Sequence, residues 1–339
     1  MYPQLTIDLP KIEHNATVLV ERCRRKGIEI IGVTKCCLGA PPIAAAMLRG
    51  GVCGIADSRL GSLQKLAEAG ISPLMMLRQP MKGEADETVR LAATSLTADI
   101  DAAGRLSRAA VALGKEHSVI VMIEVGDLRE GILPGEASEF VTCINRLPGL
   151  RLLGIGANEA CMKSKPEGAR NLDLLRDLSK RLKSELGLLL PVISAGNSSA
   201  VPMIEKDQIP EGINQIRVGE AILLGQDTID FKPVEGLLQD AFVLSAEVME
   251  VRAKPVYNGI AKKRPQAVLA LGRQDIADGE IRPLISGPEI LARSSDHLVA
   301  SLADCSAPVK TGDILAFIPS YFALLAAMTS PFVKKAFMT

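Results

Sequence analysis

Short apolar runs alternate with amphipathic stretches from about residue 28 to residue 225. The runs occupy residues 29–35, 52–57, 74–78, 95–99, 118–126, 150–157, 191–196 and 214–219. Between them, apolar residues recur at helical spacing, for example over 41–49, 59–69, 101–113, 137–146 and 169–186. Strands that alternate with helices imply a parallel sheet, because each parallel connection needs a crossover. Eight such units over this length predict a closed (β/α)8 TIM barrel, with an open doubly wound sheet as the alternative. After about residue 238 the pattern changes. Residues 241–252, 266–273, 297–303 and 314–319 read as strands with little helix between them, and Thr311-Gly312-Asp313 reads as a turn. The polar segment 226–236, with its Pro and Gly, reads as a linker. The expected organisation is α/β: a barrel domain over 9–235, then a β-rich domain over 236–339 that includes an N-terminal strand, 1–8.

Composition narrows the function classes. The 339 residues carry 39 basic and 39 acidic side chains, so a nucleic-acid or anionic-membrane surface is not the expected main partner. With no Trp and three Tyr, a base-stacking surface is not expected either. The basic run from Arg22 to Lys26 ends an amphipathic segment and reads as a solvated helix end. The seven cysteines are odd in number and form no CxxC pair, and the first residues lack a basic-then-apolar leader; both point to a reduced, cytoplasmic protein. Two uncharged stretches, 186–204 and 314–333, are interrupted by prolines and polar residues and do not read as membrane spans.

On a (β/α)8 barrel the active site lies at the C-terminal ends of the strands. Lys35 ends the first run and Asp57 the second, Arg129 follows the fifth and Asn158 the sixth; Asn197 and Ser198 follow the seventh, and Arg217 and Gly219 end the eighth. A strand-end lysine either snorkels to solvent or sits in a partly dry pocket, where its neutral amine can attack a carbonyl. Residues 194–200 join the seventh strand to a helix expected to start near Ser198, with hydroxyls and backbone N–H groups that suit an anion. With Gly219 in the next loop, the pair of loops predicts a phosphorylated ligand.

These residues resemble those of the alanine racemase-like pyridoxal-phosphate enzymes, and most closely the ornithine racemase branch. The likeness runs through Val33-Thr34-Lys35, Ala56-Asp57-Ser58-Arg59, Gly126 to Ile132, Gly154 to Asn158, Ser194 to Ala200 and Arg217-Val218-Gly219. It continues in Gly272 to Asp275, Ser294 to His297 and Tyr321 to Lys335. The resemblance implies a homodimer with shared active sites that interconverts L- and D-amino acids, with pyridoxal 5'-phosphate held by Lys35 as an internal aldimine. It implies that Lys35 is also one of two acid/base groups, that Arg217 faces the pyridine nitrogen, and that Ser198, Gly219, Glu220 and Tyr321 bind phosphate. Arg129 would lie near the cofactor's phenolic oxygen and the substrate carboxylate. Asn158 stands where alanine racemases place a stacking histidine.

Two departures stand out. The phosphate-binding tyrosine four residues after the lysine is Gly39, and the GYxDG motif that supplies the second base is Gly272-Arg273-Gln274-Asp275. Asp275, Asp296 and His297 are the candidates for that base, with Ser295 as a possible relay. A basic substrate such as ornithine or lysine would want a carboxylate, from Glu130, Glu159 or Asp57. Alternatives are a lyase or dehydratase of the same fold, which would need a metal near His297 and Cys305, and a carrier that binds the cofactor without turnover.

Overall fold

Each of the eight apolar runs forms a strand whose residues are almost all buried: β2 (Glu29–Val33), β3 (Gly54–Asp57), β4 (Leu74–Met76), β5 (Thr94–Thr97), β6 (His117–Met122), β7 (Leu150–Ala157), β8 (Val192–Ala195) and β9 (Gln215–Val218). They follow β1 (Gln4–Asp8) and pair in parallel, in chain order, into a closed barrel that β2 and β9 complete. The structure is a computed structural model describing residues 2–158, 169–256 and 260–339. The barrel is therefore the closed form, not the open sheet.

Burial on both faces explains why these strands read as continuous apolar runs. Ile31 and Val33, Ile120 and Met122, with Met75 and Leu96, fill the barrel interior at the two-residue period of a strand. The residues between them, such as Val119, Val121 and Ile155, face a shell of helices. That shell comprises α1 (Leu9–Arg24), α2 (Pro41–Arg49), α3 (Leu60–Glu68), α4 (Ala85–Leu91), α5 (Ile100–Ala112), α6 (Ala137–Asn145) and α7 (Ala169–Leu186), then the short α8 (Val201–Glu205) and α9 (Glu220–Leu224). Asp99 caps α5 by accepting from the Ala102 N–H at 2.6 Å. The helix expected to start near Ser198 opens as a 3-10 turn, Ser198–Ala200, that runs into α8. The polar segment 226–236 is a folded loop gathered around buried Asp227, which accepts from the N–H groups of Ile229, Asp230 and Lys232.

The chain divides into two compact units, Ile12–Leu237 and a second made of Met1–Lys11 with Leu238–Thr339. In the second unit, β10 (Phe242–Val256) and β11 (Ile260–Leu269) form a long antiparallel pair. Around it lie β12 (Ile281–Pro283), β13 (Glu289–Arg293), β14 (Leu298–Ser301), β15 (Ile314–Pro319) and β16 (Lys334–Met338), with β1 between β10 and β16. The helices α10 (Arg273–Ile276) and α11 (Tyr321–Thr329) complete it. The uncharged stretch 314–333 thus holds β15 and α11. Among the described residues no helix is long and apolar enough to cross a membrane.

Candidate active site

The barrel's C-terminal end is built from turns that fasten one another. After β2 the chain enters a 3-10 turn, Lys35–Cys37, closed by the Cys37 N–H donating to Thr34 O at 2.7 Å. Lys35 is exposed at the head of this turn, so its amine faces solvent and is not enclosed in a dry pocket. Beneath it, fully buried Asp57 accepts from the Thr34 hydroxyl at 2.9 Å and from the Ser58 and Arg59 N–H groups at 2.7 and 3.1 Å. Burial pushes the Asp57 carboxyl above the usual aspartate range, and the Thr34 hydroxyl and those N–H groups oppose that push. This sealed carboxylate is a structural acceptor, which removes it as the site for a substrate ammonium.

On the opposite side of β2, Arg217 lies buried in β9. Its guanidinium donates to Ser194 O at 3.1 Å, to Ala157 O at 2.7 Å and to Asn158 Oδ1 at 3.2 Å. It also donates to Ser194 Oγ, which in turn donates to Gln215 Oε1 at 2.8 Å. A planar fork with several donors suits this set of oxygens at the ends of β7 and β8. Asn158 is buried, and its Nδ2 has no hydrogen-bond partner among the described residues.

The two loops expected to bind an anion are joined to each other. Asn197 accepts from the Ser199 N–H at 2.8 Å, and the Ser198 hydroxyl accepts from the Ala221 N–H at 3.1 Å. Gly219 lets this turn lie close to β2: a Cβ there would stand 3.0 Å from Val33 O. Glu220 opens α9 and accepts from the Gln226 amide at 3.0 Å. Burial raises its carboxyl above the ordinary glutamate range; the Gln226 amide and the charge of Lys35 pull the other way.

Arg129 sits on a loop that β6 leads into. Glu124 gathers this loop by accepting from the Gly126 N–H at 2.5 Å and the Arg129 N–H at 3.2 Å. The exposed Arg129 side chain lies 3.8 Å from buried Asp127. Glu130 is half-buried, whereas Glu159 and Cys161 lie outside the described residues.

The remaining predicted residues belong to the second unit, where three of them cluster. Asp275 is buried and accepts from the Gly272 N–H at 2.9 Å, which makes it the carboxylate that starts α10. Burial raises its carboxyl above the usual range, and nearby Asp296 adds to the shift. Asp296 is exposed and accepts from the Gln274 amide at 2.6 Å. His297 is exposed, its backbone fixed by the Ser294 hydroxyl at 3.1 Å. Tyr321 opens α11, edge-on to Phe322 with ring centres 5.8 Å apart. Sequence reading did not single out Thr34, Glu124 or Gln215 as contributors. Their signal is a polar residue within or beside a buried strand, which spacing alone does not distinguish from packing.

Comparison with known proteins places this geometry in context. The alanine racemase N-terminal domain family matches residues 7–227. A lysine racemase of Thermotoga maritima is 37% identical over 99% of each chain, and an ornithine racemase of Acetoanaerobium sticklandii 35% identical over 99% of each. The solved alanine racemase from a D-cycloserine-producing Streptomyces lavendulae superposes with a TM-score of 0.78, covering 100% of this chain and 98% of its own. At 18% identity that likeness speaks to the fold.

Proposed function

The chain belongs to the alanine racemase family, and from that premise we propose that it is a pyridoxal-5'-phosphate-dependent racemase of a basic amino acid such as ornithine or lysine. The observation that carries the reading is the exposed amine of Lys35, on the turn after β2, at the same barrel mouth as a locked, buried Arg217 on the paired strand β9. The two relatives described above, a lysine racemase and an ornithine racemase, support the substrate class.

The residues present fit the cofactor. A buried amide donor without a partner among the described residues, Asn158 Nδ2, suits an acceptor on its ring. The Ser198 hydroxyl and the first N–H groups of α9, at Gly219 and Glu220, offer the donor set of a phosphate site, which Asn197 braces. When bound, the cofactor supplies an aldehyde for the substrate amine and a ring that accepts the electron pair left at the α-carbon.

Lys35 moves a proton to and from one face of that carbon. Arg217 keeps its own proton at any working pH, so a ring nitrogen beside it gains none, and return of the proton to carbon is favoured over full transamination. Arg129 holds the substrate carboxylate. The opposite face needs a second group from the set Asp275, Asp296 and His297. Asp275 is committed to the Gly272 N–H and Asp296 to Gln274, so His297, with its exposed ring, is the favoured member. Glu130 and Glu159 are the candidate partners for the substrate's side-chain ammonium, because Asp57 is sealed. We place the enzyme in the cytoplasm as a homodimer with shared sites.

The test is α-proton exchange in D2O for a panel of L- and D-amino acids, followed by NMR with chiral analysis. Exchange with inversion for ornithine or lysine is the expected result. Exchange without inversion would leave Lys35 working alone, and no exchange despite bound cofactor would move the reading to a carrier or a lyase.

A further inference from the structure

The buried carboxylate of Asp57 has no exposure and touches the residue immediately before Lys35. Around it the contacts form a closed chain. Asp57 Oδ2 takes the Thr34 hydroxyl at 2.9 Å, while Oδ1 takes the two N–H groups that begin the next turn, those of Ser58 and Arg59. The Thr34 N–H donates to Ala56 O at 3.0 Å, and the Leu77 N–H donates to Asp57 O at 2.9 Å, so β2, β3 and the end of β4 are tied at one point. Thr34 O in turn accepts from Cys37 and Gly39, at 2.7 and 3.4 Å, and these bonds shape the turn on which Lys35 stands. Gly39 then lies directly on Ser62 at the start of α3.

With these backbone bonds, the buried hydroxyl–carboxylate bond fixes the backbone on the N-terminal side of Lys35, while the lysine side chain itself is exposed and unrestrained by burial. A flexible four-carbon stem needs a fixed base if its amine is to meet a carbonyl in one orientation.

We propose that Asp57 is a positioning residue for Lys35, acting through the Thr34 hydroxyl to hold the turn that presents the amine. This rests on the reading of Lys35 as the cofactor-bearing lysine. It assigns no contact between Asp57 and substrate or cofactor. The role differs from simple support of the fold, because it concerns the direction in which one amine is offered.

The experiment follows covalent capture of pyridoxal 5'-phosphate by the cofactor-free full-length chain. The lysine amine adds to the aldehyde with loss of one water; borohydride then delivers hydride to the carbon and water a proton to the nitrogen, giving a stable secondary amine detected by mass at Lys35. Thr34→Val keeps the shape and deletes the hydroxyl, Thr34→Ser keeps the hydroxyl, and Asp57→Asn removes the charge. The expected result is capture slowed by about tenfold or more in Thr34→Val. Thr34→Ser should restore it to within about threefold of the wild-type rate. Melting temperatures are recorded beside the capture rates. Melting lowered in Thr34→Val with an unchanged capture rate would overturn the proposal, since Asp57 would then serve the fold alone. If Asp57→Asn does not fold, the Thr34 pair decides by itself. Failure of the wild-type chain to trap cofactor at Lys35 would instead overturn the functional reading, a distinct result.

Discussion

Gly39 and Ser62 are in such close contact that a Cβ on residue 39 would stand 2.7 Å from both the Cβ and the carbonyl oxygen of Ser62. The backbone of Gly39 is also left-handed, with φ of +62°. Here the turn is pressed onto α3, and no side chain fits at the position where the likeness to alanine racemases implies a tyrosine.

Gly39→Ala is expected to destabilise the protein by about 2–4 kcal/mol, because it adds left-handed strain to a clash with backbone that cannot swing aside. Equilibrium urea unfolding measures this. A midpoint equal to that of the wild type would show that α3 yields easily.

Lys35→Ala should leave the fold intact, with stability changed by less than about 0.5 kcal/mol, because the side chain is exposed. It should abolish the borohydride-stable adduct and the long-wavelength absorbance of bound cofactor. A persisting band would sink the assignment of Lys35.

Asn158→Ala removes a donor that has no partner among the described residues and one acceptor of Arg217. Affinity for pyridoxal 5'-phosphate is expected to fall by about tenfold, equivalent to about 1.4 kcal/mol, read from a fluorescence titration. Unaltered affinity would mean that the amide faces away from the cofactor.

His117 provides a pH dependence remote from the mouth. It begins β6, is buried, and its Nε2 lies 2.7 Å from Ser95 Oγ. Burial lowers its pKa from 6.5 to about 4 in the folded chain. Above pH 6.5 the ring is neutral in both folded and unfolded states, so stability is full. As pH falls from 6.5 towards 4 the unfolded chain takes up a proton that the folded chain refuses, and stability declines. Below about 4 the two states are protonated alike and this contribution levels off. The whole window is worth about 3 kcal/mol. His117→Gln should flatten that part of the stability profile measured by denaturation at a series of pH values; an unchanged slope would assign the loss to other groups.

The barrel was legible because burial on both faces turns each strand into a mostly apolar run, and because chemistry collects where those runs stop. Lys35, Asn158, Ser198 and Arg217 all announce themselves as polar residues at such ends. The second unit was only half legible. Its β13 and β16 are mostly exposed or half-buried, and β12 has three residues, so none shows a clean alternation. The seven-residue α4 is too short to establish a period. Thr34, Glu124 and Gln215 escaped notice for a different reason. They act on neighbouring atoms of the backbone or of another side chain, a relation that exists only after folding.

The barrel is closed by pairing its first strand with its last, in a register that sets Ile31 opposite Arg217. A chain still being synthesised exposes Lys35 long before β9 exists. On the proposed function, a cofactor held at both Lys35 and Arg217 is retained only once β9 has closed on β2, and a ligand so held favours the closed barrel by mass action.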